Sequence, residues 1–105
     1  EVVMRESGKR MQLIVENAVD YAIFTTDPKG LVTDWREGAE AVFGYSNEEI
    51  TGQNCDILFT PEDRKSGEPE KERAAAASEG KAPDVRWHMR KDGSRVFIDG
   101  LSTAL

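Results

Sequence analysis

The chain carries one thiol, Cys55, and one imidazole, His88, the two side chains best suited to covalent or ligand chemistry. A cysteine attacks as the thiolate, and a free cysteine without activating company is among the commonest core residues. His88 lies in Val85-Arg-Trp-His-Met-Arg90, where Val85, Trp87 and Met89 alternate with Arg86, His88 and Arg90. A period of two places His88 opposite Trp87 and Met89, so it is expected to be solvated or to face a partner. Asp20 and Asp34 show no spacing that makes them a catalytic pair. No nucleophile–base set, metal cluster or phosphate loop is present, and the domain is expected not to be an enzyme. The basic residues from Arg86 to Arg95 are interrupted by Asp92 and read as a solvated strand face and turn.

These residues need a scaffold, and its size is bounded. With 105 residues there is room for one domain with one modest core. The chain is 38% hydrophobic and 32% charged, a globular composition. Its net charge of −6, from 14 basic and 20 acidic residues, argues against binding nucleic acid or an anionic membrane surface. Solubility is the simpler meaning of that charge. A single cysteine excludes an intrachain disulfide and fits a reducing cytoplasm. No apolar run approaches the roughly 18 residues of a membrane span, and no signal peptide is visible. The chain opens without methionine and stops at Leu105 within an apolar stretch, so both ends read as boundaries inside a longer protein.

Periodicity supplies the elements. Met4, Met11, Ile14, Val15 and Ala18 recur at helical spacing, predicting an amphipathic helix over Val3 to Ala18. Tyr21 to Thr26 and Leu31 to Trp35 are strand-like, joined by the turn Asp27-Pro-Lys-Gly30. Short helices follow over Glu37 to Phe43, after a capping box Ser46-Asn-Glu-Glu49, and at Thr60-Pro-Glu-Asp63. A longer helix runs from Pro69 to Glu79, with Gly80 as its stop. Val85 to Arg90 and Arg95 to Leu105 close the chain as strands about the turn Lys91-Asp-Gly-Ser94. The order is an amphipathic N-terminal helix, two strands, several short helices and two more strands, an α+β arrangement that is neither doubly wound nor a β-sandwich.

This order, and the segments that carry it, resemble the PAS family. Tyr21-Ala-Ile-Phe-Thr-Thr-Asp-Pro-Lys-Gly-Leu-Val-Thr-Asp-Trp35 is similar to the opening PAS hairpin. Ala39-Glu-Ala-Val-Phe-Gly-Tyr-Ser-Asn-Glu-Glu-Ile-Thr-Gly-Gln53 is similar to the family's most recognisable segment. Leu58-Phe-Thr-Pro-Glu-Asp-Arg64 and Arg90-Lys-Asp-Gly-Ser94 are further likenesses, and together the four cover about residues 19–105. Arg36 departs from the asparagine common after the tryptophan. The likeness is greatest to PAS domains of bacterial multi-sensor histidine kinases and related signalling proteins.

The resemblance implies a domain division, with residues 1–18 as a flanking dimerisation helix and 19–105 as the PAS domain, lacking its last strand. It implies a cytosolic, non-catalytic module that senses a small ligand or relays a signal by rearrangement of a dimer to an output domain of the same parent chain. The alternative is an interaction module with a filled core. The candidate pocket lining is Trp35, Phe43, Tyr45, Asn54, Cys55 and Leu58, continued by Phe59, Trp87, Met89, Phe97 and Leu101. A sensor is expected to keep a cavity near Cys55 and Trp87. Gln53, Asn54 and Arg36 are candidates to orient a ligand, against the plainer roles of capping a helix or facing water.

Two cofactors are weighed and disfavoured. Cys55 in Gly52-Gln-Asn-Cys55 matches the flavin-adduct cysteine of LOV photoreceptors, a PAS subgroup. Asp56, however, stands where the arginine for the flavin phosphate would be, and Phe59 where the glutamine reading the flavin ring would be. His88, and Ile98 or Asp99, replace the ring-binding asparagines, so FMN is not expected. Haem-binding relatives place a histidine just after the position of Arg64, where this chain has Lys65-Ser-Gly67, so haem is not expected and the protein should be colourless. A homodimer is expected through Met4, Met11, Ile14 and Val15. The resemblance also implies a PAS-like α+β fold, a five-stranded antiparallel sheet with short helices over one face, where the sequence supplies four strands. The missing one belongs between Tyr21–Thr26 and the last strand, and is expected from residues beyond Leu105 or from another chain.

Overall fold

A computed structural model describes residues 1–6 and 21–104. Strand β1 (Val2–Glu6) is followed by β2 (Tyr21–Thr26) and β3 (Val32–Trp35). Helices α1 (Ala39–Phe43) and α2 (Asn47–Ile50), a 3-10 turn (Cys55–Leu58), and helices α3 (Pro61–Lys65) and α4 (Glu68–Glu79) come next. Strands β4 (Lys81–Met89) and β5 (Arg95–Thr103) complete the chain. The strands form one antiparallel sheet in the order β3-β2-β1-β5-β4.

The hairpin residues pair as their types require. Phe24 stands opposite Trp35, and the turn between closes with Asp27 Oδ1 accepting from the amides of Lys29 and Leu31, both at 2.9 Å. Ser46 and Glu49 form the reciprocal capping box, Thr60 caps α3 with Pro61 behind it, and Gly80 ends α4 at φ 87°.

The N terminus corrects the sequence reading. Residues 2–6 are a strand, so the predicted helix from Val3 fails over Val3 to Glu6, and the remainder of that expectation lies outside the described residues. This strand fills the central gap. Val2 pairs with Phe24 on one side and Ser102 on the other, and Met4 with Ala22 and Gly100. The missing strand is therefore lent by the same chain, from its beginning, and not by residues past Leu105 or a second molecule. An unpaired central slot would leave two rows of backbone groups without partners, at about 1–3 kcal/mol for each buried one. Met4 is buried among the core residues, so it is not available for the dimer contact expected of it.

The core lies between one face of the sheet and the helices. Val2, Met4, Ala22, Phe24, Val96 and Ile98 project from the strands, and Ala39, Val42, Phe43, Ile50 and Leu58 meet them.

Candidate functional site

The interior is built around a run of rings. Phe24 and Trp35 lie 5.1 Å apart between centroids, Trp35 and Phe43 5.9 Å, Phe43 and His88 6.2 Å, and His88 and Phe59 4.7 Å. Edge-on and tilted contacts of this kind suit aromatic quadrupoles. Trp35 also donates Nε1–H to the Tyr45 carbonyl at 2.9 Å, so Tyr45, half-buried, packs at the margin of the core.

The ring that sequence placed outside is at the centre. His88 is fully buried, which overturns the expectation of a solvated or partner-facing histidine. The alternation along β4 holds, but its sense is reversed: Ala82, Asp84 and His88 point inward, while Val85 and Trp87 are 55% and 52% exposed. The physical reason is mutual satisfaction. His88 Nε2 meets both Asp84 oxygens, at 3.0 and 2.8 Å, and Nδ1 meets the Leu58 carbonyl at 2.8 Å. Arg86 donates Nε–H to Asp84 Oδ1 at 2.8 Å and lies 5.5 Å from the Phe59 ring centroid. Polar groups enter a core when each finds a partner.

Helices α3 and α4 enclose this cluster. Asp63 Oδ2 and Glu68 Oε1 approach Arg86 Nη1 at 3.3 and 3.6 Å, and Glu72 Oε1 approaches Nη2 at 3.8 Å. Glu72 Oε1 is buried without a hydrogen-bond partner. Burial first, and the Asp84 carboxylate second, push the Glu72 carboxyl up to about 8. Its surroundings thus favour the neutral form, and nothing in its sequence context distinguishes it from the other glutamates of α4.

Cys55 opens the 3-10 turn and is buried in the core. Burial pushes its thiol up to about 12, opposed by the Arg73 guanidinium, whose Nη1 lies 3.8 Å from Sγ and 2.8 Å from Asp56 Oδ1. Arg73 also forms a wall of a cleft of about 310 Å³ at the rim of the sheet, with Val2, Thr26 and Ser102 on other sides. Asn54 caps the turn, Oδ1 accepting from the Asp56 amide at 2.8 Å. Gln53 is exposed, and Arg36 pairs with Asp34 and Glu1 at the surface.

The candidate lining divides between the two faces of the sheet. Trp35, Phe43, Cys55, Leu58 and Phe59 are buried on the inner side. Trp87, its partner Phe97 at 5.3 Å, and Leu101 lie on the outer side, and Met89 follows Trp87's side of the alternation. Cys55 and Trp87 therefore bound no common cavity. The outer face instead carries exposed Tyr21, Val85, Trp87 and Leu101.

Comparison with known proteins follows this architecture. A family model described as PAS fold matches residues 9–104. Two-component system protein A of Emericella nidulans is 38% identical over 94 residues, covering 90% of this chain and 14% of that protein. Signal transduction histidine-protein kinase AtoS of Escherichia coli is 38% identical over 56 residues, covering 53% of this chain and 9% of that protein. The chain thus spans a small part of either relative. The PAS domain of a protein from Colwellia psychrerythraea superimposes with a TM-score of 0.66 at 24% identity, over 91% of this chain and 95% of that one. Among the described residues no helix is long and apolar enough to cross a membrane.

Proposed function

The chain belongs to the PAS family, and from that premise we propose that it is a non-catalytic relay module of a cytosolic two-component signalling protein, passing a change in a dimer to an output domain of the same parent chain. Relatives in which the domain is a small fraction of a signalling protein support this reading. The observation that carries it is the division of the sheet. Its inner face is filled by the ring series from Phe24 to Phe59, and its outer face carries exposed Tyr21, Val85, Trp87 and Leu101 around Asp99. Val3 stands opposite both Ile23 and Leu101, Leu101 opposite Pro83, and Trp87 opposite Phe97, so that surface crosses four strands. Patches of this kind mark interaction sites. Met4 lies in the core, Met11, Ile14 and Val15 lie outside the described residues, and the proposed dimer contact is this face.

Light scattering across a concentration series tests the proposal. The chain should dimerise, and Trp87→Glu should shift it to monomer while leaving far-UV circular dichroism unchanged. A monomer at millimolar concentration overturns it. A second reading, small-ligand sensing, is favoured by the 310 Å³ cleft beside Arg73. Native mass spectrometry of the purified chain, with an added mass lost on denaturation, would support that reading.

A further inference from the structure

His88 is the only histidine in the chain, and both of its ring nitrogens face acceptors. The Leu58 carbonyl can only accept, so the Nδ1 that approaches it at 2.8 Å carries a proton. Between Nε2 and Asp84 Oδ2, also 2.8 Å apart, one further proton is held, either on the ring or on the carboxyl. Without that second proton a bare nitrogen lone pair would meet a carboxylate oxygen where both side chains have no exposure to water. Water cannot relieve that contact, and the surroundings are of low dielectric. The ring can recover a bond to Asp84 only by turning its remaining N–H towards it, which strips the Leu58 carbonyl of its donor.

We propose that Asp84 and His88 form a proton-operated latch that fastens the 3-10 turn at Leu58 to strand β4, closed while the pair holds its proton and released when it is lost. The latch joins the two layers of the domain. Leu58 ends the turn that begins with Cys55, and Phe59, the next residue, bridges to His88. Releasing Leu58 therefore loosens the helical layer from the sheet along its β4 edge, the strand on which α4 packs.

Among the described residues, the charges around the pair come from three elements. On β4 itself Arg86 donates to Asp84, and Arg86 is met by Asp63 from α3 and by Glu68 and Glu72 from α4. From α1 and from the residue after the turn the neighbours are the uncharged rings of Phe43 and Phe59. Opposite His88 on β5 stands Val96. Glu72 is the second acid of the cluster, its carboxyl raised by burial and by the neighbouring Asp84 charge, so a bulk pH profile would add its proton to that of the pair. The test must read the imidazole directly.

The experiment is two-bond proton–nitrogen correlation NMR on the full chain labelled with nitrogen-15, where one histidine gives one unambiguous pattern. At pH 7 Nδ1 should show a protonated, hydrogen-bonded shift. As pH is raised until the pair loses its proton, amide exchange at Ile57 and Phe59, corrected for the intrinsic rate, should accelerate at least tenfold while Val3 and Met4 are unchanged. An unprotonated Nδ1 at pH 7 overturns the latch, and so does a ring that titrates with no change at residues 57–59. Asp84→Asn removes the acid, and in that variant protection of Ile57 and Phe59 should no longer depend on the imidazole. The wild-type spectra decide the matter even if that variant does not fold.

Discussion

A β-carbon on Gly100 would lie 2.8 Å from the carbonyl oxygen of Val3. Gly100 sits in β5 directly beside β1, where the first strand of the chain is seated between β2 and β5. A real β-carbon does not approach a backbone oxygen so closely, and Met4 Cγ and Cα, at 3.1 and 3.3 Å, crowd the same space. Gly100→Ala should therefore destabilise the fold by about 1–3 kcal/mol through the displacement of β1. Urea unfolding measures the loss, and hydrogen exchange at Met4 should show that β1 carries it. A variant as stable as the parent would mean that β1 is not held in this slot.

Two glycines with left-handed backbones should separate steric from conformational cost. At Gly38, φ is 69° and a β-carbon would fall 1.8 Å from the Tyr21 carbonyl oxygen, so Gly38→Ala should cost about 3 kcal/mol or more. At Gly80, φ is 87° with nothing within 4 Å, and Gly80→Ala should cost only about 1 kcal/mol. Thermal melts of the two variants should differ clearly, and equal shifts would contradict the close packing of α1 on β2.

Glu72 makes stability fall with pH. The unfolded chain releases this proton near the ordinary 4.5 and the folded chain near 8, because burial and Asp84 disfavour the anion. Across that window the unfolded state binds fewer protons, so the free energy of unfolding declines as pH rises and levels off above about 8. Glu72→Gln removes the slope. The variant should exceed the parent by about 2 kcal/mol or more at pH 9, with the gap closing towards pH 4. Parallel stability profiles for the two proteins would refute a buried neutral acid.

Cys55 should be chemically silent in the native state. A thiol held up to about 12 by burial has about one part in ten thousand as thiolate at pH 8, and its sulfur is shielded as well. A colorimetric disulfide reagent should react with the chain in 6 M guanidinium (about one equivalent) and negligibly without it. Rapid modification of the folded protein would show that the Arg73 charge outweighs desolvation.

Local signals in the sequence located the elements they govern. The caps at Ser46 and Thr60, the stop at Gly80 and the turn at Asp27 act within a few residues, and each is where its chemistry demands. Strand β1 was hidden because its partners, Ala22 and Gly100, are remote, and a strand's preference is mostly a property of what it packs against. The helical spacing of Met4, Met11, Ile14 and Val15 competed with only five strand residues. On β4 the period of two was legible but not its direction. Apolar Val85 and Trp87 outnumbered the inward residues in hydropathy, yet Asp84 and His88 satisfy one another, and exposed apolar residues are common on any protein. Glu72 carried no local mark, since its perturbation arises first from burial and then from Asp84 across the helix–sheet boundary.

The seating of β1 also sets an order in time. The Glu1 nitrogen donates to the Thr103 carbonyl at 3.0 Å across 102 positions, and the strand between β2 and β5 comes from residues 2–6. During synthesis that strand emerges with the first of these residues and one of its two partners with the last. The hairpin of β2 and β3 can form early, but the middle of the sheet must wait for β5. Pairings of such long sequence separation slow folding, and until they close, the exposed edges of β1 and β2 invite association with other nascent chains.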